Sequence, residues 1–161
     1  MAEIIGGITT SHIPAVGNAM SEGLTQEHYW KRFFDGYKPV HDWLEEKKPD
    51  VIIVVYNDHG LNFFLDKMPT FAIGCADKYE NADEGWGLAT AAPFSGDAEF
   101  SWHLAESLIS QEFDMCTCQE MVVDHGFVNP MRVLFGDHKQ WPVKTIPLVV
   151  NTVQHPLASA K

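Results

Sequence analysis

The most informative segment of this chain reads Val51-Ile52-Ile53-Val54-Val55-Tyr56-Asn57-Asp58-His59-Gly60. Its uninterrupted apolar, β-branched half is typical of a strand buried on both faces, as in a parallel sheet that helices cover. Ligands of open α/β sheets bind beyond the carboxyl ends of such strands, and Asn57, Asp58 and His59 stand at that end. On spacing alone, an ordinary loop start explains these three residues slightly better than a binding site does.

Length, composition and charge narrow the class of protein. The 161 residues, of which 45% are hydrophobic, predict a single domain, residues 1–161, with a packed core. A net charge of −11 argues against nucleic acid as a partner, because binding to its backbone requires a basic surface. An anionic substrate would need a local positive centre, which a bound metal cation supplies.

Targeting and membrane signals are not apparent in the sequence. The first fifteen residues hold neither a basic segment nor a long apolar stretch, and no apolar run reaches the length of a membrane span. We therefore expect a cytoplasmic, soluble protein with no membrane partner.

Strands and helices follow one another along the chain, as expected for an α/β protein. Helices are predicted over residues 25–48 in two pieces, from Asp97 as a cap to about Glu112, and from Asn129 to Phe135. The predicted strands span residues 3–9, 51–56, 70–75, 114–118 and 144–151.

Residues 76–97 are predicted to form a loop that is long for an unstructured connection, and such loops are often functional. Asp83 and Glu84 within it are candidate ligands or gate residues. A solvated acidic turn is nevertheless the favoured interpretation of this pair.

Three histidines share one placement, because His12, His59 and His125 each follow an apolar run at a predicted strand end. Ends of parallel strands meet at one edge of a sheet, so the imidazoles can converge into a metal or acid–base site. Two histidines and one carboxylate on one face suit iron(II) with open positions. Asp58 and Asp124 each precede a histidine and point away from it on extended backbone, so they are expected to orient imidazoles or bond the loops. No carboxylate of the chain presents itself as the third ligand.

Four segments carry a further signal: Gly7-Ile8-Thr9-Thr10-Ser11-His12-Ile13-Pro14-Ala15, Tyr56-Asn57-Asp58-His59, Ala82-Asp83-Glu84-Gly85-Trp86-Gly87 and Val123-Asp124-His125-Gly126. In this order and spacing they resemble the class II (LigB-type) extradiol ring-cleaving dioxygenases. Within that family the resemblance is to the catalytic β subunit of protocatechuate 4,5-dioxygenase and to gallate dioxygenase. It extends along essentially the whole chain.

The resemblance implies a function and a set of site residues. His12 and His59 match the iron(II) ligands of the family. His125 matches a catalytic histidine near the substrate hydroxyls, outside the ligand set, and Asn57 lies beside the substrate. The implied substrate is a catecholic acid, namely protocatechuate, gallate or methylgallate, which is cleaved with O2. The implied fold is a three-layer α/β/α domain around a mixed, mostly parallel sheet.

The resemblance is incomplete in one respect. In the family, the carboxylate ligand and the general-base histidine follow a glycine-rich Gly-Gly-x-Ser-His segment, which this sequence does not contain. The chain therefore corresponds to about the first half of a family subunit. Either the chain is a truncated or separately encoded fragment, or the missing groups come from another chain. We expect an incomplete site and an oligomer, with a small α-type subunit or a second chain that supplies the missing half-site as a partner.

Two alternatives remain open at the level of the sequence. The chain is either a dioxygenase subunit or fragment, or a non-catalytic metal-binding or interaction domain that kept the dioxygenase fold. A zinc hydrolase, in which a histidine-rich site activates water, is the further alternative.

Overall fold

The computed structural model describes residues 2–85, 87 and 89–159. Within them the elements are, in chain order, α1 (Pro14–Ser21), α2 (His28–Asp35), α3 (Lys38–Lys47), β1 (Val51–Tyr56), β2 (Phe71–Gly74), β3 (Lys78–Asn81), β4 (Phe94–Ser95), α4 (Ala98–Ser110), β5 (Met115–Cys118), β6 (Val122–Val123), α5 (His125–Phe135) and β7 (Lys144–Val150). A 3-10 turn, Leu24–Gln26, lies between α1 and α2.

The main sheet has four strands in the order β1-β7-β2-β5. β1 pairs with β7 in parallel and β2 with β5 in parallel, whereas β2 and β7 run antiparallel. A smaller sheet of order β4-β3-β6 is connected to it by a parallel bridge between Gly96 and Thr145. The sheet is therefore mixed, as the resemblance implies.

Helices cover both faces of the main sheet. On one face, Ala105 of α4 packs with Ile73, Cys75 and Ile146. On the opposite face, α5 contributes to a larger core cluster that includes Val54, Tyr56, Phe127, Met131 and Val149. This arrangement confirms the predicted three-layer α/β/α architecture.

The prediction that strand 51–56 is buried on both faces is wrong. β1 is an outer strand of the main sheet, and its side chains alternate between the two faces. Val54 and Tyr56 are 8% and 7% exposed, whereas Ile53 and Val55 are 43% and 62% exposed. One face of β1 is therefore covered by the α5 layer. The other is exposed at Ile53 and Val55, because α4 packs mainly against β2 and β5, and only Val51 on that face reaches the α4 core cluster.

The predicted first strand, residues 3–9, does not form. Among the described residues, no backbone hydrogen bond joins this segment to another strand, and Ile4 is 94% exposed. A strand requires a neighbour that pairs with its N–H and C=O groups, and this segment lacks one. Pro14 does keep Ile13 extended, with a ψ of 145°, and Pro14 begins α1.

Two further boundaries differ from the prediction. Residues 76–97 are not one open loop, because β3 and β4 lie within them. α5 begins at His125 rather than near Asn129, because the Asp124 carboxylate accepts a hydrogen bond from the Gly126 amide at 2.8 Å and caps the helix there.

The other predicted elements form close to their expected positions. β2, β5 and β7 lie within the predicted strand ranges, and Asp97 caps α4. The segment predicted to be helical, residues 25–48, contains α2 and α3, which Gly36 separates. In the described part of the chain, no helix is both long and apolar enough to cross a bilayer.

The buried Asp58 carboxylate organises the turn that follows β1. Its oxygens accept hydrogen bonds from the backbone amides of residues 60–63 and from the Asn62 side chain, at 2.7 to 3.2 Å. The Asn62 amide group also bonds both backbone polar groups of Val122, which ties the turn to β6. These contacts hold His59 at the end of β1.

We expect Asp58→Ala to lower the free energy of unfolding by about 2–4 kcal/mol, because several amides lose their acceptor where Asp58 itself is only 5% exposed. Urea unfolding followed by circular dichroism measures this change. Asp66→Ala is the matched control, since the exposed Asp66 lies 4.0 Å from its Lys67 partner, and we expect a change below about 0.5 kcal/mol. Equal effects of the two substitutions would contradict the structural role of Asp58.

Candidate metal centre

Three histidines from separate parts of the chain meet at one edge of the fold. His12 precedes α1, His59 follows β1, and His125 opens α5, which Asp124 separates from β6. Their ring centroids are 4.2 to 5.9 Å apart, and one ring nitrogen of each lies within 4.8 Å of the others. The structure therefore brings together all three histidines that the sequence singled out.

A carboxylate and an amide fix the imidazole of His59. Asp124 Oδ2 accepts hydrogen bonds from the His59 backbone amide at 2.9 Å and from the His59 Nδ1 atom at 3.1 Å. The Asn57 Nδ2 atom lies 3.1 Å from His59 Nε2. An amide nitrogen only donates, so Nε2 is the acceptor and the ring proton lies on Nδ1.

The same carboxylate also fixes the helix that carries His125. Asp124 is fully buried, and its Oδ1 atom caps α5 by accepting from the Gly126 amide. Gly126 permits this close packing, because an added Cβ atom would lie 2.9 Å from Asp124 Oδ1 and 3.0 Å from a carbon of the His59 ring. Asp124 therefore positions two of the three histidines at once.

The imidazole of His125 is held by Glu84. One carboxylate oxygen accepts from the His125 backbone amide at 2.7 Å, and the other accepts from His125 Nδ1 at 2.8 Å. The side chains of His125 and Glu84 are 7% and 11% exposed. A carboxylate only accepts, so Nδ1 carries a proton.

Asn129 fixes the backbone at His12. Its amide group donates to the carbonyl oxygens of His12 at 3.1 Å and Ile13 at 3.3 Å, and Asn129 is only 2% exposed. Gly17 of α1 allows the contact, since an added Cβ atom would lie 2.5 Å from Asn129 Oδ1. Arg132, one turn further along α5, donates to the Gly17 carbonyl. α5 thus carries His125 at its first position. One turn later, its Asn129 side chain holds the segment that contains His12.

The surroundings of His12 favour its neutral form. Burial lowers the pKa of the His12 imidazole, the neighbouring imidazoles of His59 and His125 lower it further, and only Asp124 acts in the opposite direction. A neutral imidazole presents the lone pair that a metal ligand needs.

The donor set suits a first-row metal ion, for which imidazole is a common ligand. A ligating histidine usually donates its second ring N–H to a carboxylate or carbonyl, as His59 donates to Asp124. Among the described residues, the side chains whose ligand atoms lie close enough together to hold one metal ion are the three histidines, and no carboxylate belongs to this group. Asp124 and Glu84 therefore support imidazoles rather than complete a ligand set.

Two of these supports were misassigned from the sequence. A solvated acidic turn is the wrong interpretation for Glu84, although Asp83 is exposed as expected. Asn129 bonds the His12 segment instead of capping a helix. The sequence did not predict β3. This strand pairs in parallel with β6 and so brings Glu84 and His125 to the same edge. Trp86, which belongs to a motif of the resemblance, lies outside the described residues.

Fold and site together define an α/β protein with a candidate metal centre lined by histidines. Residues 6–161 match the family described as the catalytic LigB subunit of aromatic ring-opening dioxygenase. The chain belongs to this family.

Similar proteins include several dioxygenases. A 2,3-dihydroxyphenylpropionate/2,3-dihydroxicinnamic acid 1,2-dioxygenase 2 of Dechloromonas aromatica is 38% identical over 113 residues, which are 70% of this chain and 34% of the relative. A gallate dioxygenase of Pseudomonas putida is 39% identical over 80 residues, which are 50% of this chain and 24% of the relative. A 2,3-dihydroxyphenylpropionate/2,3-dihydroxicinnamic acid 1,2-dioxygenase of Photorhabdus laumondii is 27% identical over 154 residues, or 96% of this chain and 45% of the relative. The chain thus spans less than half the length of these relatives.

We expect Asn129→Ala to loosen the segment that carries His12, because both of its bonds to Asn129 are lost and residues 2–13 contain no helix or strand. Backbone order parameters from 15N relaxation should fall below about 0.6 near residue 12, against about 0.85 for rigid backbone.

Asn18→Ala serves as the control, since Asn18 lies on α1 and its side chain makes no hydrogen bond within the described residues. Order parameters at residue 12 that stay unchanged in Asn129→Ala would show that other contacts fix His12.

Proposed function

We propose that this chain provides the iron(II)-binding histidines of an extradiol dioxygenase that cleaves the ring of a catecholic acid with O2. The observation that carries the proposal is the convergence of three imidazoles, two of them fixed by carboxylates, in a member of the LigB family. The relatives' names support the reaction class, and the donor set fits the metal.

The three histidines have different roles in this proposal. His12 and His59 would hold the iron, as the resemblance to the family implies. The pKa of His12, lowered by burial, and the ring proton that His59 keeps on Nδ1 toward Asp124 leave each imidazole a nitrogen lone pair for a cation. His125 stays outside the ligand set, where its Nε2 atom would accept a hydrogen bond from a substrate hydroxyl and relay a proton. A bound iron(II) ion would supply Lewis-acid activation of the two hydroxyls and electron transfer between the ring and dioxygen.

Asn57 is the proposed substrate-binding partner of His125. Its amide group donates to His59 Nε2, the nitrogen that is left for the metal. A cation held at this nitrogen would take the place of the amide group, and the N–H groups of Asn57 would then be free to donate to a substrate oxygen. Metal binding and substrate binding would therefore be coupled through the Asn57 side chain.

The proposed substrate is an aromatic acid with adjacent hydroxyl groups, such as protocatechuate, gallate or methylgallate. The similar proteins are named for gallate and for dihydroxyphenylpropionate, which share this chemistry. The carboxylate ligand and the general base would come from groups outside the described histidine cluster, in a longer form of this chain, on a second chain or on a small α-type subunit of an oligomer. The proposed location is the cytoplasm.

We expect His12→Ala and His59→Ala to weaken anaerobic iron(II) binding by more than about 100-fold, because each removes a direct ligand and loss of a mere supporting group already costs about 10–100-fold. His125→Ala should change the affinity by less than about tenfold. Isothermal titration calorimetry of the chain measures all three affinities.

His28→Ala is the control for these titrations, since His28 is exposed at the start of α2. Affinity that is undiminished in His12→Ala or His59→Ala would sink the assignment of that residue. A loss in His125→Ala as large as in the other two variants would make His125 a third ligand.

A further inference from the structure

Glu84 differs from the other acidic residues of its loop in what it contacts. Both of its carboxylate oxygens bond one residue, His125, through the backbone amide and through Nδ1. Asp83, its neighbour, is exposed and accepts from the Gly85 amide at 3.0 Å. Within the part of the chain that the structure describes, the hydrogen bond of Asp83 stays within its own turn.

Strand pairing and hydrogen bonds at the start of the loop place Glu84 at this position. β3 and β6 run in parallel, with Asn81 opposite Val123, so the residues that follow the two strands emerge side by side. The Asn81 side chain and the Ala82 amide both donate to the Val123 carbonyl, at 3.0 and 3.1 Å. These bonds anchor the start of the loop two residues before Glu84.

A local turn then aims the Glu84 side chain at the histidine cluster. Asp83 accepts from the amide two residues ahead, which is the hydrogen bond of an Asx turn with Glu84 at its centre. Gly85 has a φ of 72°, a left-handed conformation that glycine adopts without strain. The hydrogen bond of Asp83 and the left-handed backbone of Gly85 therefore fix the turn that orients Glu84.

We infer that Glu84 is the positioning residue of His125, which fixes its ring orientation and its tautomer. The two contacts hold the backbone and the ring of His125 together, and the proton on Nδ1 leaves the lone pair on Nε2. His125 thus faces the cluster as a hydrogen-bond acceptor and not as a donor. That His125 accepts a hydrogen bond from substrate rests on the proposed function. That Glu84 fixes the orientation and tautomer of His125 does not.

Long-range 1H–15N spectra of the histidine-labelled chain test this inference directly. In the wild-type protein we expect His125 to be protonated at Nδ1 and unprotonated at Nε2. In Glu84→Ala this preference should be lost, and exchange of the His125 backbone amide should accelerate at least about tenfold, in line with loss of a hydrogen bond to a charged group. Glu84→Gln keeps one acceptor oxygen and should lie between the wild type and Glu84→Ala.

Asp83→Asn is the matched control, and it should leave the His125 tautomer unchanged. A wild-type His125 that is protonated at Nε2 alone would overturn the inference without any variant. So would a Glu84→Ala chain that folds and keeps the wild-type tautomer and amide exchange rate.

Metal and ligand titrations on the same variants separate this inference from the proposed function. We expect Glu84→Gln to bind iron(II) within about threefold of the wild type, because Glu84 acts through His125 and not through the metal ligands, and to lower the affinity of the iron-loaded chain for gallate. A wild-type chain that binds no iron(II), with the His125 tautomer as expected, would refute the proposed function alone. Gallate affinity that is unchanged in a Glu84→Gln chain with altered His125 tautomer would refute the role of Glu84 toward substrate.

Discussion

The Asp124 carboxylate is the contact on which the candidate site depends. One oxygen caps α5 and the other accepts from the backbone and the ring of His59. The residue is fully buried, and burial of a charged group is tolerated only where hydrogen bonds replace the lost water. The end of β1 and the start of α5 are therefore held together by one side chain. Removal of that side chain would leave two sets of donors unsatisfied in the protein interior.

The second constraint is the use of α5 as a common support. His125 stands at its first position, Asn129 holds the backbone of His12, and Arg132 holds α1. These positions follow one another at intervals of about one helical turn, so they lie on the same side of the helix. The histidine of the otherwise irregular N-terminal segment is thereby placed by a rigid element.

Negative charge near the cluster supports imidazoles instead of supplying a ligand. The chain carries a net charge of −11, yet the two carboxylates beside the histidines direct their oxygens to N–H groups. Each fixes a proton on Nδ1. This arrangement explains why acidic composition alone does not predict a carboxylate ligand, and why the proposed third ligand lies elsewhere.

Local sequence predicts much of this fold, because secondary-structure propensities of neighbouring residues determine several elements. Examples are strand 51–56, the helix cap at Asp97 and the helix break at Gly36. The three histidines could be found in the same way, since each follows an apolar run. Contacts between distant segments could not be read from the sequence. Burial of β1 depends on its outer position in the sheet, and the bonds of Glu84 depend on the pairing of the short strands β3 and β6.

The proposed division of roles among the three histidines can be seen directly in crystals of the chain grown with iron(II) under anaerobic conditions. We expect an anomalous-difference peak at the iron absorption edge within bonding distance of His12 and His59, with His125 still bonded through Nδ1 to Glu84. A peak bonded to His125 in place of either residue, or a cluster that stays free of iron at saturating concentration, would contradict it.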